Sequence, residues 1–268
     1  IVGSVYEFDN IKTKEFELFD KEGFFTDDSV MTIAVAEALM QYGHIDEENI
    51  GAFKEDLITT MHRIGVKYPD CGYGGRFLVW ILRKRREPYN SFGNGSAMRV
   101  SSVGRHAKTL EEAEWIAKAT AEVSHNHPEG IKGAQATSLC IYLARHGSTP
   151  SEIKRRVEKD FGYDLSMSVD DIRPRYSWQG LDGIVSGATC QGSVPQAIIC
   201  GINATGFEDA IRNSISIGGD SDTIGCITGG IAEALYGIPD DIRTRGIAYL
   251  PSPLQDVVLE FENKYGFK

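Results

Sequence analysis

Residues 25–43 read FTDDSVMTIAVAEALMQYG, and most of that stretch carries one repeating pattern. Val30, Ile33, Ala34, Ala38 and Leu39 recur at steps of three and four, the spacing of one helix face. Gly43 is a natural C-cap, so the spacing predicts a helix over 28–43. Similar patterns predict helices over 47–64, 75–86, 128–146, 150–161, 195–204, 208–216, 221–236, 240–249 and 253–265. Thr109 with Glu112 reads as a capping box ahead of a further helix reaching Val123. Several of these stretches begin at or beside Pro, which suits a first helical turn. Alternating β-branched or aromatic runs are nearly absent. The pattern predicts an all-α fold in one domain over 1–268, with no low-complexity linker dividing it. The longest irregular piece expected is 163–192, which holds the basic and aromatic run Arg173 to Trp178.

Composition narrows the function classes. The 38 acidic side chains against 28 basic give a net charge of -10. That argues against a nucleic-acid binder or a partner for anionic membranes, because both need a basic face. The 29 glycines are about 11% of the chain, against a usual share of roughly 7%. No apolar run approaches the roughly 18 residues of a membrane span. Cys71, Cys140, Cys190, Cys200 and Cys226 form no C-x-x-C pair and read as small core residues. With no signal-peptide pattern visible, a reducing cytoplasm is the expected compartment.

Two acidic motifs stand out. Thr26-Asp27-Asp28-Ser29 opens the first strong helix, and Gly218-Gly219-Asp220-Ser221-Asp222-Thr223 opens the glycine-rich one near the C-terminus. Each contains ordinary N-cap residues. One cap, however, needs one acidic side chain. Residues two apart inside a helix diverge by about 200°. Asp220 and Asp222 therefore make better sense straddling a loop-helix boundary. Together Asp27, Asp28, Asp220 and Asp222 with Thr26 and Thr223 offer hard oxygen ligands without sulfur or imidazole. Such a set selects Mg²⁺, Mn²⁺ or Ca²⁺. If the four carboxylates converge, they need a cation to stay ionised together.

Other motifs carry weaker signals. Ser91 to Arg99 is glycine-rich and polar, so its backbone could approach an anion. It is neither a Walker motif nor a dinucleotide fingerprint. His125 and His127 lack a third imidazole or Cys nearby and read as donors to a phosphate or to backbone. His44, His62, His106 and His146 read as surface residues. Gly225, Gly229 and Gly230 read as sites of close helix-helix approach, and Arg83 to Arg86 as a solvated helix end. No His is followed by Asp, which excludes an all-α phosphohydrolase of the His-Asp type.

Five segments in order resemble the ADP-ribosylglycohydrolase family. They are Gly3 to Glu7, Phe25 to Ser29, Phe92 to Val100, Ser124 to Pro128, and Ser216 to Ile224. The resemblance implies an orthogonal multi-helix domain holding two Mg²⁺ ions, with Mn²⁺ as a substitute. The metal positions match Thr26, Asp27, Asp28, Asp220, Asp222 and Thr223. It further implies hydrolysis at the anomeric carbon of ADP-ribose in protein or small-molecule conjugates, nucleic acid entering only as an ADP-ribosylated substrate. Glu7 matches a carboxylate on a loop over the substrate. Glu7, Asp28 and Asp222 are the catalytic candidates. Ser91 and Phe92 match contacts to ribose and adenine, and His125 matches a position beside the diphosphate, which Gly93, Asn94 and Gly95 are expected to help hold. Gly218 and Gly219 are expected where backbone approaches ligand. The core motifs fit arginine, serine, O-acetyl, guanidine and nucleic-acid conjugates alike. Family members usually carry a Gly-Asp pair before the segment matching Gly3, so natural residues are expected upstream of Ile1. The alternative implied is a relative that binds ADP-ribose, or serves structurally, without turnover.

Overall fold

The computed structural model describes residues 1–266, which form fourteen α-helices and one 3-10 turn. In chain order these are α1 (Asp27–Met40), α2 (Ile50–Gly65), α3 (Gly75–Leu82), α4 (Gly95–Met98), α5 (Ser101–His106), α6 (Leu110–Glu122) and α7 (Pro128–Arg145). They continue with α8 (Pro150–Phe161), α9 (Val169–Ile172), the 3-10 turn Leu181–Gly183, α10 (Cys190–Ile202), α11 (Phe207–Ser216), α12 (Ser221–Tyr236), α13 (Asp240–Ala248) and α14 (Ser252–Tyr265). Among the described residues there is no strand, only an isolated bridge between Gly93 and Thr189.

The centre of the molecule is built from helices rich in small residues. α7 packs against α4, α5, α6, α10 and α12, and α12 also lies on α10 and α11. Such crowding needs close backbone approach. A Cβ on Gly104 of α5 would sit 2.8 Å from Ile141 and from the Ser138 carbonyl of α7. A Cβ on Gly133 of α7 would sit 2.5 Å from Cys190 Sγ at the start of α10. Every residue of α10 except Gln191 is buried. The main core runs from Val30 and Leu39 in α1 through Leu139 in α7 and Ile198 in α10 to Ile231 in α12. A smaller apolar cluster, with Leu18, Phe19, Ile211, Ile215 and Ile242, holds the N-terminal segment onto α11 and α13.

Several expectations are corrected. α3 stops at Leu82, so Arg83 to Arg86 lies beyond the helix, and Arg86 pairs with Glu55. α10 begins five residues before Pro195, because the Thr189 hydroxyl caps it by accepting from the Gly192 N–H at 3.2 Å. The Thr109 hydroxyl accepts from the Glu112 N–H, but Glu112 reaches back to the Lys108 N–H rather than to Thr109. Reciprocal capping boxes occur instead at Thr149–Glu152 and Ser168–Asp171. The segment expected to be irregular holds α9 and the 3-10 turn. His62 and His106 are buried. His62 packs its ring on Trp80, and His106 bonds the Tyr265 hydroxyl through Nδ1 at 3.0 Å. All five cysteines are free, and four are buried. No described helix is long and apolar enough to cross a membrane.

Candidate active site

The two acidic motifs meet at the N-termini of α1 and α12. Thr26 is the extended N-cap of α1, which puts Asp27 and Asp28 in its first turn. Asp220 is the N-cap of α12 and Asp222 lies in its first turn. This is the boundary geometry expected for residues two apart that must face one point. Carboxylate oxygens of Asp27, Asp28 and Asp222 lie within 4.8 Å of one another, and so do those of Glu7, Asp220 and Asp222. Asp222 belongs to both groups. Asp28, Asp220 and Asp222 are buried, as are Thr26 and Thr223.

Electrostatics make this cluster unstable on its own. Burial, and then the neighbouring Asp222 charge, push the Asp27, Asp28 and Asp220 carboxyls well above the usual carboxylate range. Glu7 is half-buried, and burial followed by Asp222 raises it to about 7. Oδ1 of Asp28 and Oδ1 of Asp222 are buried without any hydrogen-bond partner. Unpartnered buried acceptors of this kind are costly unless something compensates them. Hard oxygens, orphaned and mutually repelling, fit a divalent cation such as Mg²⁺. The Thr26 hydroxyl donates to Asp28 Oδ2 at 3.0 Å, and the Thr223 hydroxyl lies 3.9 Å from Met98 Sδ.

Two cavities flank the cluster. The first, of about 410 Å³, is lined by Glu7, Asp27, Asp220, Asp222 and Thr223. Ser91, Gly93, Asn94, Gly95 and His125 line it too, together with Arg76 and Trp178. The second, of about 380 Å³, is largely apolar and runs between the N-terminal segment and α1, α11, α12 and α13. Asp222 borders both; Asp28 borders only the second.

Local chemistry explains how the first cleft is held open. The Asn94 side chain donates to Asp220 Oδ2 at 2.8 Å, and its N–H donates to the Ala188 carbonyl at 3.2 Å. The Cys190 N–H donates to the Phe92 carbonyl at 3.0 Å, so residues 92–94 are pinned along 188–190. Gly93 and Gly95 let His125 Nε2 approach: it lies 3.6 and 3.2 Å from where their Cβ atoms would be. Glu7 is held through its backbone, the carbonyl accepting from Trp178 Nε1 at 2.7 Å. Asn10 donates to the carbonyls of Tyr6, Glu7 and Gly219 and accepts from the Gly219 N–H.

Three expected substrate contacts sit elsewhere. Phe92 is not part of the cleft lining; its ring is 44% exposed and meets His127 edge-on at 5.2 Å. Gly218 and Gly219 both take positive φ, and a Cβ on Gly219 would fall 2.5 Å from the Tyr176 ring. They turn the chain into α12 beneath Asn10 and Tyr176 rather than lining the cleft. His127 Nδ1 accepts from the Glu129 N–H and caps α7. Where a Cβ would stand on Gly230 of α12, Ser101 and Ile141 lie within 3.3 Å; on Gly225 and Gly229, Ile215 and Ile211 of α11 lie at 3.3 and 3.4 Å, and all three glycines border the apolar cavity.

The sequence reading passed over the segment 71–77, CGYGGRF. Gly72, Gly74, Gly75 and Arg76 line the cleft, and the Cys71 carbonyl accepts from the Asp27 N–H at 2.7 Å. The Arg76 guanidinium lies over the Tyr89 ring at 4.8 Å. The available signal was three glycines in four residues beside a lone Arg.

The sequence model of the ADP-ribosylglycohydrolase family matches residues 1–261. The chain belongs to that family. The ADP-ribosylhydrolase ARH3 proteins of Mus musculus and Homo sapiens are each 26% identical to it, across 80% of this chain and 70% and 71% of theirs. The ADP-ribosylarginine hydrolase Tri1 of Pseudomonas putida is also 26% identical, over 81% of this chain and 60% of its own. A solved structure, an ADP-ribosylglycohydrolase-related protein complex, superposes with a TM-score of 0.61 at 22% identity, covering 90% of this chain and 82% of that one. At that identity the likeness is one of fold, and it agrees with the all-α architecture expected for an ADP-ribosylglycohydrolase.

Proposed function

We propose that this ADP-ribosylglycohydrolase hydrolyses the glycosidic bond at the anomeric carbon of ADP-ribose in ADP-ribosylated protein or small-molecule conjugates, with two Mg²⁺ ions as cofactor. Mn²⁺ is the expected substitute. The observation that carries the reading is Asp222, whose carboxylate joins both oxygen groups beside the cleft. Asp27, Asp28, Asp222 and Thr26 would hold one ion, and Asp220, Asp222 and Thr223 the other. When bound, the ions supply Lewis-acid polarisation and a grip on vicinal ribose hydroxyls.

The chain's own groups do the rest. Glu7 stands at the cleft beside Asp222 with a carboxyl raised to about 7. A carboxyl near the working pH suits taking a proton from water as it attacks the anomeric carbon. Asp28 is less suited to that role, because it faces the apolar cavity and already accepts from Thr26. The remaining carboxylates stabilise the positive charge that grows on the sugar ring in an oxocarbenium-like transition state. In the same cleft, Gly93 to Gly95 and His125 offer donors to the diphosphate. The unpartnered oxygens of Asp28 and Asp222 weigh against a purely structural relative, since no hydrogen bond among the described residues satisfies them.

The test is release of free ADP-ribose from arginine- and serine-linked ADP-ribosyl peptides in Mg²⁺, with wild type beside Asp222→Asn. Turnover in wild type and its loss in the variant are expected. Full hydrolysis by Asp222→Asn, or binding of ADP-ribose with no turnover of any conjugate, overturns the reading.

A further inference from the structure

A buried chain of three side chains ends at His125. The Arg99 guanidinium is 1% exposed, and among the described residues no ion pair joins it to a carboxylate. Its Nη2 donates to the Thr120 carbonyl at 2.7 Å and to Ser124 Oγ at 2.9 Å. Arginine has donors only, so Ser124 Oγ is the acceptor in that contact. Ser124 Oγ also lies 2.8 Å from His125 Nδ1. No other acceptor among the described residues takes the Ser124 hydrogen. The arrangement that leaves no buried hydrogen unpaired sends it to Nδ1, the bare nitrogen of a neutral ring. The ring proton is left on Nε2, the atom beside Gly93 and Gly95 in the cleft. Burial and the nearby Arg99 charge hold His125 well below the ordinary imidazole range, in keeping with a neutral ring.

We propose that Arg99 and Ser124 are positioning residues that lock His125 in its Nε2–H tautomer, making it a neutral hydrogen-bond donor to an anionic oxygen in the cleft. The identity of that oxygen, a diphosphate oxygen of ADP-ribose, rests on the function proposed above. The carboxylates and this donor line the same cleft. The buried Arg99 guanidinium backs the donor through Ser124, so its direction is fixed before any ligand arrives. Pre-set donors cost no reorganisation on binding. The two glycines matter for the same reason, because a Cβ on Gly95 would stand 3.2 Å from Nε2.

Long-range ¹H–¹⁵N spectra of the full chain labelled at histidine read the tautomer directly, with His125→Gln assigning the resonance. Wild type should show the proton on Nε2 without ligand. Ser124→Ala should redistribute it toward Nδ1 and weaken ADP-ribose binding, measured by calorimetry, at least tenfold. Ser124→Thr, which keeps the hydroxyl, should restore both. A wild-type His125 protonated on Nδ1 overturns the proposal, and that measurement needs no variant to fold. An Ser124→Ala protein with unchanged tautomer overturns it as well. If the tautomer switches as expected while wild type fails to bind ADP-ribose, the relay stands and the proposed substrate falls.

Discussion

Asn94 Nδ2 donates to Asp220 Oδ2 at 2.8 Å, joining two motifs that lie 126 residues apart in sequence. The same side chain reaches the Gly187 carbonyl, so one amide fixes both the glycine-rich turn and the carboxylate cluster. It orients a carboxylate oxygen of the proposed Mg²⁺ site. Partners of this kind typically govern metal affinity by about 10–100-fold. Asn94→Ala should therefore weaken Mg²⁺ binding by that factor with the helices intact. The rise of Tm with added Mg²⁺ measures it, and an unchanged Mg²⁺ midpoint removes Asn94 from this role.

The carboxylate cluster makes a second, less intuitive prediction about stability. Asp27, Asp28 and Asp220 have folded-state pKa values above their unfolded ones. Their favourable contribution is full below the unfolded carboxylate range and is lost as pH rises through the folded values. At neutral pH without metal they therefore strain the fold. One like-charge pair at 4.8 Å amounts to about 3 kcal/mol at an effective dielectric of about 20. In excess chelator at pH 7.5, Asp222→Asn should be more stable than wild type to urea. In Mg²⁺ the order should reverse, because only wild type gains binding energy. A variant less stable in both buffers would show that the cluster is not strained.

Much of this architecture was readable residue by residue, and the exceptions have physical causes. α1 and α12 announce themselves because each joins an acidic or hydroxyl cap to a long apolar run, which in α1 is buried on all sides. α4 and α5 do not. They have four and six residues, and α5 carries Gly104 where its backbone meets α7. The start of α10 was misplaced because Pro195 mimics a first-turn residue, whereas Thr189 provides the cap. The ligand set could be named from oxygen chemistry, but its convergence came only through resemblance, since periodicity says nothing across nearly 200 residues. The Gly72–Arg76 wall is only faintly marked, because three glycines beside one Arg do not distinguish a turn from a surface that faces a ligand.

Glu7 supplies the pH prediction for activity. A general base must be deprotonated to act, so activity should rise with pH through the Glu7 pKa, about 7 in the metal-free protein. Cations beside Asp222 would favour the charged form, so the limb in Mg²⁺ should fall at or below that value. Glu7→Gln should lower kcat by about 10²–10⁴-fold, flatten that limb and leave ADP-ribose binding within a few-fold. A Glu7→Gln enzyme with the wild-type acid limb assigns the base elsewhere.

His106 gives a test that is independent of catalysis. The sequence does not mark the short α5, so His106 looks like a surface residue, yet it is 4% exposed, with Nδ1 on the Tyr265 hydroxyl and Nε2 unpartnered. Burial lowers it to about 4, outweighing the opposing pull of Glu112, while Lys108, Lys264 and His44 push the same way as burial. The unfolded chain takes up a proton near pH 6.5 and the folded chain does not. The stability that His106 provides is therefore complete above about pH 6.5 and is lost as pH falls toward 4. At pH 4.5 the loss reaches about 2–3 kcal/mol. His106→Asn should be less stable than wild type at pH 7.5, since it loses packing and the Tyr265 contact. By pH 4.5 that deficit should shrink by the same 2–3 kcal/mol, because Asn does not titrate. Urea unfolding of both proteins at the two pH values measures the difference, and a deficit independent of pH would mean that His106 is charged in the folded chain.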